Sequence, residues 1–516
     1  MFRGVDSGYG SCLVTAPPDF PKRLDDARNL LLSHRYELAL TAYGRLALEY
    51  PAVPIIWFEF GNAAAGAQEW GRADAAWNRA MELAPGNSEL IALIGHQYQG
   101  LRQPEKAKGC FLRAASADPR GINPRISLAV LLEKGHELGS ARAVVDECLA
   151  IDPRDEQACY LSAVLDRREG HAELAEMRLR DLLARDPRHP YVRYSARFEL
   201  AQILDRCGRF EEAMVVLLEA KAIVSALIDT RPLVHGYDRS AQAARRFTEG
   251  LPRDILATWA GYFPVAKRQR RLRLAFLGGH PRSGTTLLEQ ILDAHPEVAA
   301  LDEPSAFQEV LQPAFHASGD LSSARLNTLR ALYVNALMRE LGPAAEGKLL
   351  VDKNPSPTTR LPVWLRVFPE LRVLIALRDP RDVVLSCFFQ NLPLNETNVN
   401  FLSLERLARH YADLMSIWLA VREWVGVLAL ETRYEDLVAD TEKEGRRVTE
   451  FLGLSWHESQ SRFYERTDRR QIYAPTYRDV TRPVYSSSVA RWRHYERHLA
   501  PILPSLDVYC RTFGYS

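Results

Sequence analysis

The stretch GHPRSGTT, residues 279–286, places two glycines, one arginine and three hydroxyl side chains side by side. Backbone N–H groups and hydroxyls at the start of a helix, with a guanidinium beside them, make a cradle for a phosphate-like anion. A nucleotide-triphosphate loop of pattern G-x-x-x-x-G-K-[ST] would set lysine directly after Gly284. Thr285 and Thr286 stand there instead, and the nearby cation is Arg282. Two more cations fall at comparable places downstream. Lys353 lies in VDKNP, and Arg378 opens RDPRDVVLS, with Ser386 eight residues later. Three converging cations suit a polyanionic ligand.

These residues need elements to hold them. Residues 272–277 (LRLAFL) form an apolar run ending in Gly278 and Gly279, and residues 286–293 (TLLEQILD) have helical spacing. The motif therefore sits between a strand and a helix, where a phosphate cradle belongs. Further apolar strands are expected at 348–351, 371–377 and 427–430, each alternating with helical patterns. That order predicts a mostly parallel sheet covered on both faces. Ligands of such sheets bind beyond the carboxyl ends of the strands, which would gather Arg282, Asp352, Lys353 and Arg378 around one crevice. Each has a plainer reading. Lys353 could be a surface cation, and Arg378 a structural ion-pair partner of Asp379 or Asp382. His280 and His295, each followed by proline, read as loop-fixing residues rather than bases.

The first half is periodic. Prolines stand at positions 51, 85, 119, 153 and 187, a constant 34 apart. Twelve residues before each is an alanine (Ala39, Ala73, Ala107, Ala141, Ala175), and eight before each a large residue (Tyr43, Trp77, Phe111, Val145, Leu179). The pattern reads as helix–turn–helix units in which alanine allows close approach, the large residue fills the gap and proline opens the next unit. It resembles the tetratricopeptide repeat, with Gly61, Gly95, Ala129 and Ala163 at the small position of the first helix. Ala213, 38 residues after Ala175, marks a sixth unit with about four residues inserted. Such an array offers a groove for a peptide or protein, and a scaffold or dimerisation arm is the plainer alternative. The expected organisation is an array over 20–225 (about six units), a helical linker over 226–270 and a second domain over 271–516.

Composition sets the bounds. A chain of 516 residues with 47% hydrophobic and 25% charged content suits a multidomain globular protein. A net charge of +1 gives no global attraction to nucleic acid or anionic lipid, so anion binding must be local. The basic run Lys267, Arg268, Arg270, Arg271 and Arg273 reads as a solvated lead-in to the first strand. Seven cysteines without metal-like spacing read as reduced thiols, with Cys110, Cys148, Cys159 and Cys207 in buried helices. No signal peptide or membrane span is evident, so a cytoplasmic location without a membrane or nucleic-acid partner is expected, with homodimerisation open.

The second-half motifs resemble those of sulfotransferases, nearest to the tyrosylprotein sulfotransferase branch. PRSGTTLLEQILDAHPEV is similar to that family's 5′-phosphosulfate loop, and RDPRDVVLS to its 3′-phosphate motif. VDKNP and RYEDLV match its lysine-bearing strand end and its adenine-site tyrosine segment. The resemblance covers about residues 270–500. It implies an all-α tetratricopeptide solenoid followed by an α/β P-loop-like sulfotransferase domain. It also implies 3′-phosphoadenosine 5′-phosphosulfate (PAPS) as co-substrate, with no metal expected. By the resemblance, Arg282, Ser283, Gly284, Thr285 and Thr286 hold the 5′-phosphate, Arg378 and Ser386 the 3′-phosphate, and Tyr434 the adenine. Arg491 and Thr476 complete the donor site. Glu303, 21 residues after Arg282, takes the place of the catalytic base, and Lys353 neutralises the leaving bridging oxygen. Asp302 and Glu303 stand for the family's paired glutamates, while Pro304 and Ser305 replace its threonine–arginine. The implied acceptor is a protein tyrosine hydroxyl, reached through the repeat groove and the catalytic cleft. Carbohydrate or small-molecule acceptors, a weakly active nucleotide-binding scaffold, and a P-loop kinase are the alternatives. The missing loop lysine and the Arg378–Ser386 pair argue against the kinase.

Overall fold

The computed structural model describes residues 19–262, 273–316, 322–465, 484 and 488–515. Thr476 and the basic residues at 267–271 lie outside the described residues. The chain divides into two compact units, 1–196 and 197–516.

In the first unit, helices pair in antiparallel fashion. They are α1 (Phe20–Leu32), α2 (Tyr36–Glu49), α3 (Pro54–Gly66), α4 (Trp70–Leu83), α5 (Ser88–Gly100), α6 (Pro104–Ala117), α7 (Asn123–Lys134), α8 (Leu138–Ile151), α9 (Glu156–Arg168) and α10 (Ala172–Ala184). The division between the units falls within α11 (Pro190–Arg206). The five alanines and five large residues of the repeat are all buried, none above 1% exposure. The prolines occupy the turns that follow each second helix.

The small position explains itself. A Cβ on Gly61 would lie 2.4 Å from the Trp77 ring, and one on Gly95 would lie 2.6 Å from the Phe111 ring. Only glycine admits the aromatic at that distance. The repeat register sets Ala129 and Ala163 opposite Val145 and Leu179, and Ala27 opposite Tyr43, so the closed space belongs to the Trp77 and Phe111 units in particular. The Trp77 indole N–H donates to Asn62 Oδ1 at 3.1 Å, so the buried ring leaves no orphan donor.

A second periodicity had no sequence signal. The turn inside each unit contains a left-handed residue at His34, Gln68, Arg102, His136 and Gly170, again 34 apart. Its N–H and that of the next residue return to the end of the preceding helix, as when Gln68 N donates to Ala65 O and Glu69 N to Ala64 O. Glycine fills this place only at Gly170 and, in the second unit, at Gly208.

The second unit carries α12 (Phe210–Leu227), α13 (Arg231–Glu249), α14 (Ile255–Gly261) and a five-stranded sheet. Its strands are β1 (Leu274–Gly279), β2 (Val298–Asp302), β3 (Leu349–Lys353), β4 (Arg372–Leu377) and β5 (Ala429–Arg433), in the order β2-β3-β1-β4-β5, every pairing parallel. Residues of β1 are buried throughout, as a central strand covered on both faces requires. One face packs Ala275, Leu277, Val351 and Leu374 on Leu288, Ile291 and Leu292 of α15 (Thr285–Asp293). On the other, Phe276 meets Trp364 at 4.8 Å between ring centroids.

Two expectations about the sheet change. The edge strand β2 adds a fifth strand that the sequence does not mark, because its five residues follow the α15 turn with too little alternation. The strand expected at 348–351 runs on through Lys353, because Asp352 pairs with Phe276 and Lys353 with both Leu277 and Asp302. Among the described residues no helix is long and apolar enough to cross a membrane. Cys110 and Cys148 are buried as expected, but Cys159 is half-buried and Cys207, near the end of α11, is exposed.

Candidate active site

The chain leaves β1 toward β2 on one side, while β4 lies on the other, so the carboxyl ends of β1 and β4 flank a topological switch point. The loop from His280 to Gly284 fills it. Gly279 has φ +120°, and a Cβ there would lie 2.3 Å from the Ala376 carbonyl oxygen of β4. Gly284, the N-cap of α15, has φ +90°, and a Cβ there would lie 2.6 Å from the Tyr434 ring. Gly284 supplies no side-chain cap to the row of opening N–H groups of α15, which begins at the buried Thr285 and Thr286. The Ser283 N–H is turned inward, donating to His280 O at 3.2 Å, so it does not join that row.

Arg282 and Arg378 meet in this crevice. Arg282 Nε donates to Ser386 Oγ at 3.0 Å, and Arg378 Nη1 donates to the Arg282 carbonyl at 3.2 Å. Arg378 also donates to Ser488 O at 2.5 Å, and its guanidinium lies 4.8 Å from the Tyr434 ring centroid. Its Nε is buried without a hydrogen-bond partner. The guanidinium is thus only 6% exposed and keeps one N–H without an acceptor, a costly arrangement for a buried polar group. Asp379 does not neutralise Arg378; it pairs with Arg381 at 2.7 Å and caps the helix Pro380–Phe388. Asp382 instead accepts the backbone N–H groups of Ala490 and Trp492 at 2.8 and 2.7 Å. Burial pushes its carboxyl up to about 6, against the opposing pull of Arg378.

A cluster of carboxylates around one lysine lies at the ends of β2 and β3. Lys353 is wholly buried, and its amine pairs with Asp302 and, at 3.3 Å, with Glu303 Oε1. Burial works against its charge, yet the carboxylates of Asp302 and Glu303 outweigh it and hold the amine above the ordinary lysine range. Glu303 itself is 42% exposed at its side chain while one oxygen contacts Lys353. Its backbone N–H donates to Lys353 O at 2.8 Å. Nearby, burial and then the Asp302 charge push the Glu289 carboxyl of α15 upward.

Asp352 leaves the crevice. Strand alternation turns it to the opposite face from Lys353, where Tyr333 OH donates to it and Trp364 Nε1 donates to that hydroxyl at 2.7 Å. Arg491 also stands apart from the Arg282–Arg378 pair, its guanidinium bonded to Asp205 of α11 at 3.0 Å. His280 and His295 hold loops: His280 Nδ1 donates to Pro281 O at 2.8 Å, and His295 joins Ser455 O and the Glu297 N–H.

Strain marks the same places. Among the described residues of the second unit, only Arg282, Glu303 and Ala490 are non-glycine residues in the left-handed region, at φ 73°, 54° and 56°. Each costs about 1–2 kcal/mol, and such costs collect where geometry serves a ligand.

Comparison with known proteins fits this region. Residues 275–458 match a family model. It is the sulfotransferase family. A C-terminal sulfotransferase-family domain therefore follows a helical repeat region. Protein-tyrosine sulfotransferase A of Caenorhabditis elegans is 29% identical over 194 residues, covering 35% of this chain and 50% of that protein. An uncharacterized protein of Aquifex aeolicus is 27% identical over 407 residues, covering 74% of this chain and 50% of that protein. The chain thus spans about half the length of these curated relatives. Among solved structures, the sulfotransferase domain from the Synechococcus PCC 7002 olefin synthase aligns at 22% identity and TM-score 0.34, over 47% of this chain and 94% of that one. The tetratricopeptide protein YrrB aligns at 20% identity and TM-score 0.27, over 35% of this chain and 92% of that one.

Proposed function

We propose that this protein is a PAPS-dependent sulfotransferase acting on an acceptor hydroxyl, most simply that of a protein tyrosine. The observation that carries the reading is the part-buried Arg282–Ser386–Arg378 arrangement, with its unsatisfied Arg378 Nε, at the carboxyl end of the sheet where Glu303 and Lys353 also stand. The residues suit a bisphosphorylated nucleotide. Gly279 and Gly284 keep the loop clear of side chains, the α15 N-terminus with Arg282, Thr285 and Thr286 takes one phosphate, and Arg378 with Ser386 takes the other. The Ser283 hydroxyl adds a donor, Tyr434 lines the adenine side, and Arg491 and Thr476 belong to the closing C-terminal segment.

The donor supplies the sulfuryl group. Glu303 takes the proton from the attacking hydroxyl, its exposed oxygen facing the acceptor while Lys353 anchors the other side. The amine of Lys353 neutralises negative charge on the leaving oxygen, exchanging its looser contact with Glu303 to do so. In-line transfer of this kind depends on positioning and charge stabilisation rather than on a covalent intermediate. The repeat array recruits the acceptor as a peptide or protein.

Incubation with radiolabelled PAPS against tyrosine peptides, glycans and phenols tests the reaction and the acceptor together. Glu303→Gln should reduce transfer at least about a hundredfold while leaving donor affinity within twofold. Full activity in that variant would remove Glu303 as base. Calorimetry should show adenosine 3′,5′-bisphosphate binding at least about tenfold tighter than 5′-AMP. Equal affinities would sink the assignment of Arg378 and Ser386.

A further inference from the structure

The segment from Ser488 to Tyr495 is clamped from two sides. On one side Arg378 donates to Ser488 O, and Asp382 receives the N–H groups of Ala490 and Trp492. Between them Ala490 is forced to φ 56°. On the other side stands a single carboxylate from outside the matched family region. Asp205, near the end of α11, accepts from Arg491 Nε at 3.0 Å and from Tyr495 OH at 2.7 Å, both at Oδ1. Its side chain is 14% exposed and that of Arg491 20%, so water competes little for the pair.

Aromatic contacts fix the same edge. Phe210 of α12 stacks on His494 at 4.1 Å and meets Tyr495 edge-on at 5.5 Å. The Arg491 guanidinium lies 4.4 Å from the ring centroid of Phe389, one residue beyond the helix that carries Ser386. Two carboxylates thus hold one strained turn, Asp382 through its backbone and Asp205 through its side chains.

We infer that Asp205 is a positioning residue for donor binding: by fixing Arg491 and Tyr495 it holds the 488–495 segment against Arg378. The inference rests on the donor-site reading above. It makes Asp205 near the end of α11, with Phe210 at the start of α12, part of the transferase site within the second unit.

The sign of one substitution tests it. Asp205 is an anion near a site for anions, so if it acted only through its field, removing it would tighten nucleotide binding. If it positions the segment, removing it must weaken binding. In the full-length protein, Asp205→Ala should raise the dissociation constant of adenosine 3′,5′-bisphosphate about tenfold, the loss of one charge-assisted hydrogen bond. The KM for PAPS should rise alike, with kcat within twofold and acceptor KM unchanged. Asp205→Asn, which keeps an acceptor for Tyr495, should fall between, and Asp205→Glu should recover part of the affinity. Arg491→Ala added to Asp205→Ala should cost little more, because the two act as one unit.

Damage to the fold would lower the calorimetric stoichiometry and leave the dissociation constant of the remaining sites unchanged, which would overturn the proposal. So would equal or tighter binding by Asp205→Ala and Asp205→Asn. A wild-type protein that binds no bisphosphate would instead overturn the donor reading, and this inference with it.

Discussion

Lys353→Met separates what the buried amine does for the fold from what it does for the reaction. The amine is wholly buried between Asp302, whose side chain is 10% exposed, and Glu303, which is 42% exposed. Removing it takes the buried ion-pair partner from the poorly hydrated Asp302 carboxylate, at a cost of about 3–5 kcal/mol. The Glu303 contact adds less than about 1 kcal/mol, because that carboxylate keeps its water. Native-state hydrogen exchange at the β3 amides of Leu350 and Val351 reads this unit within the whole chain. Exchange there should speed up about a hundredfold or more in Lys353→Met and less than fivefold in Glu303→Gln. Adding Asp302→Asn should recover part of the loss, since the stranded charge goes with it. The carboxylates raise the pKa of Lys353 despite burial, so its contribution is present below the free-lysine value and lost only as pH climbs through the raised one. The deficit should therefore be the same at pH 7 and pH 9. Exchange within tenfold of wild type would refute the argument, because the amine would not then be holding Asp302.

Three further outcomes follow from other contacts. Gly284→Ala, with its Cβ 2.6 Å from the Tyr434 ring and a φ of +90°, should weaken bisphosphate binding more than about tenfold by calorimetry and lower the Tm by a few degrees. Lys221, buried with its amine donating to Phe401 O at 2.7 Å, is pulled down by burial to about 7. The unfolded chain then holds more protons between about pH 7 and 10.5, so stability rises with pH across that window. Lys221→Met should accordingly stabilise by roughly 1–3 kcal/mol in urea titrations at pH 7, with the gain fading toward pH 10. Gln68→Gly should raise the Tm of the repeat unit, because relief of a left-handed side chain, about 1–2 kcal/mol, exceeds the entropy of a new glycine.

The parts of this molecule visible in its sequence are those written in local spacing. The 34-residue period of alanine and large residue survived into buried helix contacts, and the strand–loop–helix around Arg282 survived into the switch point of the sheet. The Arg378–Ser386 spacing places both on the rim of one crevice. What escaped depends on partners far along the chain. Strand β2 exists because β3 pairs with it, not because VAALD has strong strand character. The extension of β3 through Lys353 likewise needs β1 and β2, and it alone decides that Asp352 and Lys353 face opposite ways. Asp205 and Arg491 lie 286 residues apart, and no periodicity could announce that contact. The turns at His34, Gln68, Arg102 and His136 escaped for another reason: none of them is glycine and no shared residue type occupies them, so their regularity is purely conformational.

The match between small position and filler has a consequence for the history of the array. Gly61 admits Trp77 and Gly95 admits Phe111, whereas the same register sets Ala129 and Ala163 against Val145 and Leu179 and Ala27 against Tyr43, so the glycine units alone are closed to a methyl. Equal repeat length would let unequal crossing-over exchange whole units freely, but a crossover inside a unit could join Ala129 to a tryptophan-bearing second helix. The methyl would then occupy space that the ring requires. For the Trp77 and Phe111 units, viable recombinants are therefore those whose breakpoints fall at the proline turns, so that each ring is inherited with its own glycine.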